Sequence, residues 1–192
     1  MMLRKLGIAL AVVVAFGAGG FALVRMMDAG ATEFRVEGDV LHISGPVSGA
    51  ASDRLERLLD ENPGIAAVAL GDIPGADDVA WVTGMGRMIR AAGLETRATG
   101  IVVNDGLFLF LGGASRSVAQ GGALVLHSDA VQRQAGVAAD VSSAAEADRV
   151  RFVEAMLGDA GFAAFMGETR ASRDSYELTG DDLARFGLAT AN

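Results

Sequence analysis

The sequence predicts an α/β fold with a parallel sheet, and three observations carry the prediction. Short apolar runs alternate with stretches of helical periodicity between residues 33 and 127. The inner runs, such as Ile65 to Leu70, are continuously apolar, the pattern of a strand buried on both faces. From residue 144 onward the chain reads as helix. Strands that alternate with helices in this way join into a parallel sheet through helical crossovers.

Each element has its own signal. Phe34, Val36, Val40, Leu41 and Ile43 flank the turn pair Gly38-Asp39, so Glu33 to Gly45 reads as a hairpin. Leu55, Leu58 and Leu59 share one face of a helix from Ser48 to Asp60, which Asn62-Pro63-Gly64 stops. Ile65 to Leu70 is the next strand. Val79, Val82, Met85 and Ile89 then mark a helix from Asp77 to Ala92, ended by Gly93. Thr96 to Val103 reads as one strand. Gly106 to Leu111 is a compact apolar run, opened by Asn104-Asp105 and closed by Gly112-Gly113. Ala123 to Leu126 is a further strand that ends on His127, and helices follow over 144–157, 162–169 and 181–186.

Composition limits the chemistry. The 192 residues suit one domain, and 51% hydrophobic content with no cysteine excludes a disordered chain, a disulfide scaffold and a thiolate metal site. Residues 31–192 carry 13 basic and 23 acidic side chains, which lacks the basic footprint that nucleic acid requires. Lys5 is the only lysine and precedes the first apolar run, so the domain has no lysine to serve as base or nucleophile.

Leu6 to Val24 contains no charge, follows Arg4 and Lys5, and is closed by Arg25. Nineteen helical residues approach the roughly 30 Å of a bilayer core, and the leading positive charges keep the amino end cytoplasmic. The expected organisation is therefore residues 1–5 as a cytoplasmic n-region, 6–24 as membrane anchor or signal, 25–31 as linker and 32–192 as the exported domain. Ala29-Gly30-Ala31 is the best cleavage pattern, which would release a soluble periplasmic chain beginning at Thr32. Arg25 and Asp28 disfavour processing, so the anchor in the inner membrane is the reading adopted.

The stretch from Ala67 to His127 resembles the ClpP/crotonase superfamily, and within it exported ClpP-like proteins. Leu70-Gly71-Asp72-Ile73-Pro74-Gly75-Ala76 stands where the family has a strand and a Ser-Pro-Gly-Gly turn. The helix from Asp77 and the following Gly93-Leu94-Glu95-Thr96 match the family's next helix and strand. Phe108 to Gly113 with Arg116 matches the run behind the family nucleophile, and Gly121 to His127 the strand that delivers the catalytic histidine. Tyr176 to Leu183 with Gly187-Leu188 is similar to its closing helix. The resemblance implies a sheet of β-β-α units, with backbone donors at Gly75 and Ala76 holding an oxyanion and His127 as base.

Counting back from Gly112-Gly113, the nucleophile position falls on Asn104, 23 residues before His127. Asparagine is not a nucleophile, and Ile73 and Ala76 replace a serine and a glycine of the oxyanion turn. The resemblance therefore implies a kept scaffold with lost peptidase chemistry, acting by binding a peptide or protein or by assembling with further copies of itself. Read without the resemblance, Asn104-Asp105-Gly106 opens a helix, Asp105 is a potential acid/base partner of His127, and His127 is a half-buried histidine with a satisfied ring. Asp77 and Asp78 supply a helix's acidic first turn, and Trp81 packs. The alternative is an active hydrolase in which Ser115 or Ser117, in a surface loop, pairs with His127. A hydratase-type acyl-thioester binder would need donors at Gly75-Ala76 and Asp105-Gly106, in a compartment that lacks such thioesters. His42 and His127 lie far apart in sequence, so neither metal nor cofactor is expected.

Overall fold

The computed structural model describes residues 31–136 and 142–190. The segment 6–24 read as anchor or signal lies outside those residues. Among the described residues no helix is long and apolar enough to cross a membrane.

The hairpin is β1 (Glu33–Glu37) and β2 (Val40–Ser44), followed by α1 (Gly49–Glu61), β3 (Ala67–Leu70) and α2 (Val79–Ala91). The chain continues through β4 (Glu95–Ala98), β5 (Ile101–Val103), a 3-10 turn (Asn104–Gly106) and the short α3 (Leu107–Leu111). Next come β6 (Arg116–Val118), β7 (Ala123–His127) and α4 (Asp129–Gln134). The carboxy-terminal part is α5 (Ser143–Leu157), α6 (Gly161–Ser172), β8 (Ser175–Glu177) and α7 (Gly180–Arg185).

Two sheets result. The larger has the order β1-β2-β3-β4-β6, with β2, β3, β4 and β6 parallel and β1 antiparallel at the edge. The smaller has the order β5-β7-β8, with β5 and β7 parallel and β8 antiparallel. The chain repeatedly gives one strand to the larger sheet, the next to the smaller, and then a helix: β4, β5, α3, and again β6, β7, α4. In the preceding turn Ile73, bridged to Val102, stands in for the second strand before α2. The β-β-α unit of the sequence reading is thus the repeating element of the fold.

The single strand expected over Thr96–Val103 is in fact two, and the bend between them is built by Gly100. The N–H groups of Thr99 and Gly100 both donate to the Leu70 carbonyl, at 2.7 and 3.1 Å. A Cβ on Gly100 would lie 2.6 Å from the Asp72 nitrogen, so only glycine lets the chain pass from one sheet to the other here.

All five residues of α3 are fully buried, which leaves its last carbonyls without water. The Arg90 guanidinium takes them over, donating to the carbonyls of Leu111, Gly112 and Gly113 at 2.8–2.9 Å. Arg116 does the same from the other side, donating to Gly113, Gly187 and Leu188. Arg116 is therefore the buried clasp between α3 and the chain end, and the loop expected around it is strand β6. Ser117 lies on that strand and pairs in register with Arg97.

α2 and α3 meet glycine to glycine. A Cβ on Gly112 would sit 2.3 Å from the Gly86 carbonyl oxygen, a backbone atom that cannot rotate away. Gly112→Ala is expected to destabilise the domain by about 1–3 kcal/mol through overpacking. A urea titration checks this, and Gly84→Ala, where a Cβ meets nothing within 4 Å, is the control and should be neutral or slightly stabilising.

Candidate functional site

The site forms where β5 and β7 end side by side. Their parallel register runs Ile101↔Ala123, Val102↔Leu124 and Val103↔Val125. At Asn104 the backbone leaves the sheet with φ +46°, a left-handed value that asparagine tolerates better than most residues. The backbone ladder therefore stops, and the Asn104 side chain continues it. Its Nδ2 donates to the His127 carbonyl at 2.9 Å, and its Oδ1 accepts the His127 N–H at 2.8 Å. Asn104 is 1% exposed. Both arms of its amide are spent on the backbone of the residue read as the base. Asn104 does open a helical turn, as expected, but it does so without capping it.

Asp105 is not a partner of His127. Its carboxylate binds Arg149 of α5 in a two-pronged ion pair, Nε–Oδ1 at 2.9 Å and Nη2–Oδ2 at 2.8 Å, with both side chains 5% exposed. Arg170 of α6 stands 3.8 Å from the same carboxylate and also pairs with Asp129. A buried carboxylate takes the strongest fork available, and no sequence pattern links Asp105 to Arg149 and Arg170, 44 and 65 positions onward.

The turn Ile73–Ala76 is held in place by its neighbours. Val47 N–H donates to the Gly75 carbonyl at 3.0 Å, and Gly75 has φ +139°. The amides of Gly75 and Ala76 donate to no described residue. Ile73 is fully buried, and a Cβ on Gly106 would lie 2.7 Å from its Cγ2, so its side chain fills the space between this turn and the 3-10 turn. Gln132 of α4, 4% exposed, donates to the Pro74 carbonyl at 3.3 Å.

His127 is partly buried, and one nitrogen of its ring, Nδ1, has no hydrogen-bond partner among the described residues, so the ring is not satisfied at both nitrogens. Neither Ser115 nor Ser117 hydrogen bonds to it. The serine that the sheet does bring to it is Ser175, its register partner on β8. Ser128 N–H donates to the Asp174 carbonyl at 3.0 Å, which makes His127 and Ser175 a non-hydrogen-bonded antiparallel pair. Cα atoms of such pairs are about 4.5 Å apart, with side chains on one face. A three-residue strand 48 positions downstream leaves no periodic signal, so sequence reasoning missed it.

Burial holds the His127 imidazole below its ordinary value near 6.5, with the Asp174 backbone acting in the opposite direction. The unfolded chain then binds a proton that the folded chain refuses. Stability should therefore fall as pH drops through about 6.5 and be flat above about 7.5. Urea midpoints at several pH values check this, and His127→Gln should remove that part of the slope.

Of the aspartates near the turn, Asp72 accepts the Ile101 N–H at 2.9 Å and Asp78 caps α2, accepting from Ala80 at 2.7 Å. No group of three His, Asp or Glu among the described residues is placed to hold a metal. Trp81 packs as expected, its indole lying against Gly49 of α1, while 46% of the residue stays exposed.

No family profile and no curated protein matches the sequence. Solved structures do match. An enoyl-CoA hydratase from Bacillus anthracis superposes with a TM-score of 0.53 at 16% identity, covering 83% of this chain and 69% of that one. An enoyl-CoA hydratase from Bacillus halodurans gives 0.52 at 13%, over 83% and 72%. A ClpP1 variant from Listeria monocytogenes gives 0.54 at 13%, over 79% and 89%. The chain has the ClpP/crotonase fold. Identities this low establish the architecture alone, and within the ClpP/crotonase fold the Asn104–His127 clasp and the Asp105–Arg149 pair are features of this chain.

Proposed function

We propose that residues 32–192 form a ClpP-like domain, tethered to the inner membrane on its periplasmic side, that has no serine-peptidase chemistry and works by binding a peptide or protein, or by scaffolding. The observation that carries this reading is the use of Asn104. A nucleophile must present a free lone pair to the substrate, and here the residue at that position is buried and committed at both ends of its amide to the His127 backbone. The packed Ile73 and the engagement of Asp105 by Arg149 support the same reading. The tether rests on the uncharged run from Leu6 to Val24 and its flanking charges.

The test is a fluorophosphonate probe on the full chain in its membranes, beside His127→Ala. The expected result is no labelling of the folded protein. Labelling that His127→Ala abolishes would overturn the reading in favour of an active serine hydrolase. Peptide mapping would then identify the serine, and the cross-strand register favours Ser175 over Ser115 or Ser117. Release of a soluble chain beginning at Thr32 would replace the anchor by a cleaved signal.

A further inference from the structure

We propose that a groove at the membrane-leading end of the domain binds the phosphate of an anionic phospholipid headgroup and so fixes the domain's orientation on the bilayer. The proposal rests on the tether described above. The groove has a volume of about 710 Å³ and lies at the carboxyl ends of β2, β3 and β4, where Ser44, Gly71 and Thr99 line it. Ligands of open α/β sheets characteristically bind at that end of the strands.

Two features single out its occupant. The first is position. Ala31 and Thr32, the first described residues, themselves form part of the wall. The Ala31 carbonyl runs against Gly45, where a Cβ would lie 3.0 Å away, and the Thr32 hydroxyl donates to the Pro46 carbonyl. The chain is thus fixed to the domain at this point. The linker of residues 25–31 spans at most about 25 Å when extended, so the groove cannot stray far from the bilayer surface. The second is charge. The domain is strongly acidic, yet two arginines, Arg35 and Arg54, line the groove with one carboxylate, Glu33, in its wall. Arg35 and His42 share Glu37. Arg54 lies over the Phe34 ring at 5.6 Å and forms no ion pair among the described residues, which leaves its charge available to a phosphate. Phe34, also in the wall, offers apolar surface beside that charge.

The experiment uses the full chain reconstituted into vesicles of phosphatidylcholine alone or of phosphatidylcholine with phosphatidylglycerol, both carrying a dansyl-labelled lipid. Trp81 is the only tryptophan, and energy transfer from it to dansyl reports how the domain is held. Transfer should differ between the two vesicles, and salt should abolish the difference. Arg54→Ala should weaken the dependence on anionic lipid about fivefold, and Arg54→Glu should remove it. Arg151→Ala, an equal change of charge outside the groove, should leave it intact. Arg54 is exposed, so these variants fold. Identical transfer in both vesicles, or an equal effect of Arg151→Ala, would overturn the groove proposal while leaving the tether. A chain that an alkaline wash strips from the vesicles would overturn the tether and the groove's role together. Loss of the lipid dependence on adding soluble glycerol phosphate would support a phosphate site, whereas binding of glycerol phosphate with no response to phosphatidylglycerol would overturn the lipid as occupant.

Discussion

Asp105→Ala is expected to lower the unfolding free energy by about 3–5 kcal/mol, the usual consequence of leaving one member of a buried ion pair without its partner. Arg149 is 5% exposed at its side chain and is held through both Nε and Nη2. Burial works against its charge, but the Asp105 carboxylate outweighs that, so its pKa is raised above the ordinary arginine value. Glu146 cannot substitute for Asp105: it reaches Arg149 at 3.3 Å but is itself 55% exposed, and such pairs contribute little. Arg170, 3.8 Å from Asp105, would lose an attraction at the same time. The test is urea unfolding of Asp105→Ala, Arg149→Met and the double variant. The double variant should recover much of the loss, because it removes the buried guanidinium together with the carboxylate that balances it. A loss under about 1 kcal/mol for Asp105→Ala would mean that water reaches the pair and that α5 is not fastened to the site through it.

The same pair shows how far the sequence could be read. Strands and helices with enough apolar residues to show a period, such as Ile65–Leu70 and Asp77–Ala92, were legible because burial imposes that period on the residues themselves. The hairpin around Gly38-Asp39 was legible for the same reason, reinforced by turn chemistry. Three-residue strands were not. Arg116–Val118 carries a buried arginine whose hydrogen-bond acceptors are the carbonyls of Gly113, Gly187 and Leu188, and nothing in its neighbours announces that. Thr96–Val103 reads as continuous because both of its halves are strand, and the bend at Thr99-Gly100, where both N–H groups turn to the Leu70 carbonyl, divides them. At the site, the resemblance located Asn104 and His127, and the structure joins them. It did not show the manner of their contact, side chain to backbone, nor the commitment of Asp105 to Arg149, because such pairings depend on how distant helices dock.

Asn104→Ala is expected to cost about 3–7 kcal/mol. It removes two hydrogen bonds and leaves the His127 N–H and carbonyl without partners, each omission worth about 1–3 kcal/mol. It also puts a Cβ-bearing residue without asparagine's local hydrogen bonding at φ +46°, which adds roughly 1 kcal/mol. Asn104→Gly should recover that last part and no more, which separates backbone strain from lost bonding. Asn104→Asp keeps the acceptor for the His127 N–H but sets a carboxylate oxygen against the His127 carbonyl. Its stability should therefore rise as pH falls and the carboxyl gains a proton to donate, opposite in sign to the His127 effect. Asn104→Ser is the decisive member of the series. A hydroxyl can replace at most one of the two bonds, so the variant should fall between the natural chain and Asn104→Ala in stability and still resist the fluorophosphonate. A serine variant that folded as stably as the natural chain and took the probe would show position 104 to be a nucleophile seat with one side chain changed. The clasp on His127 would then be incidental, and the case for a binding domain would have to rest on Ile73 and Asp105 alone.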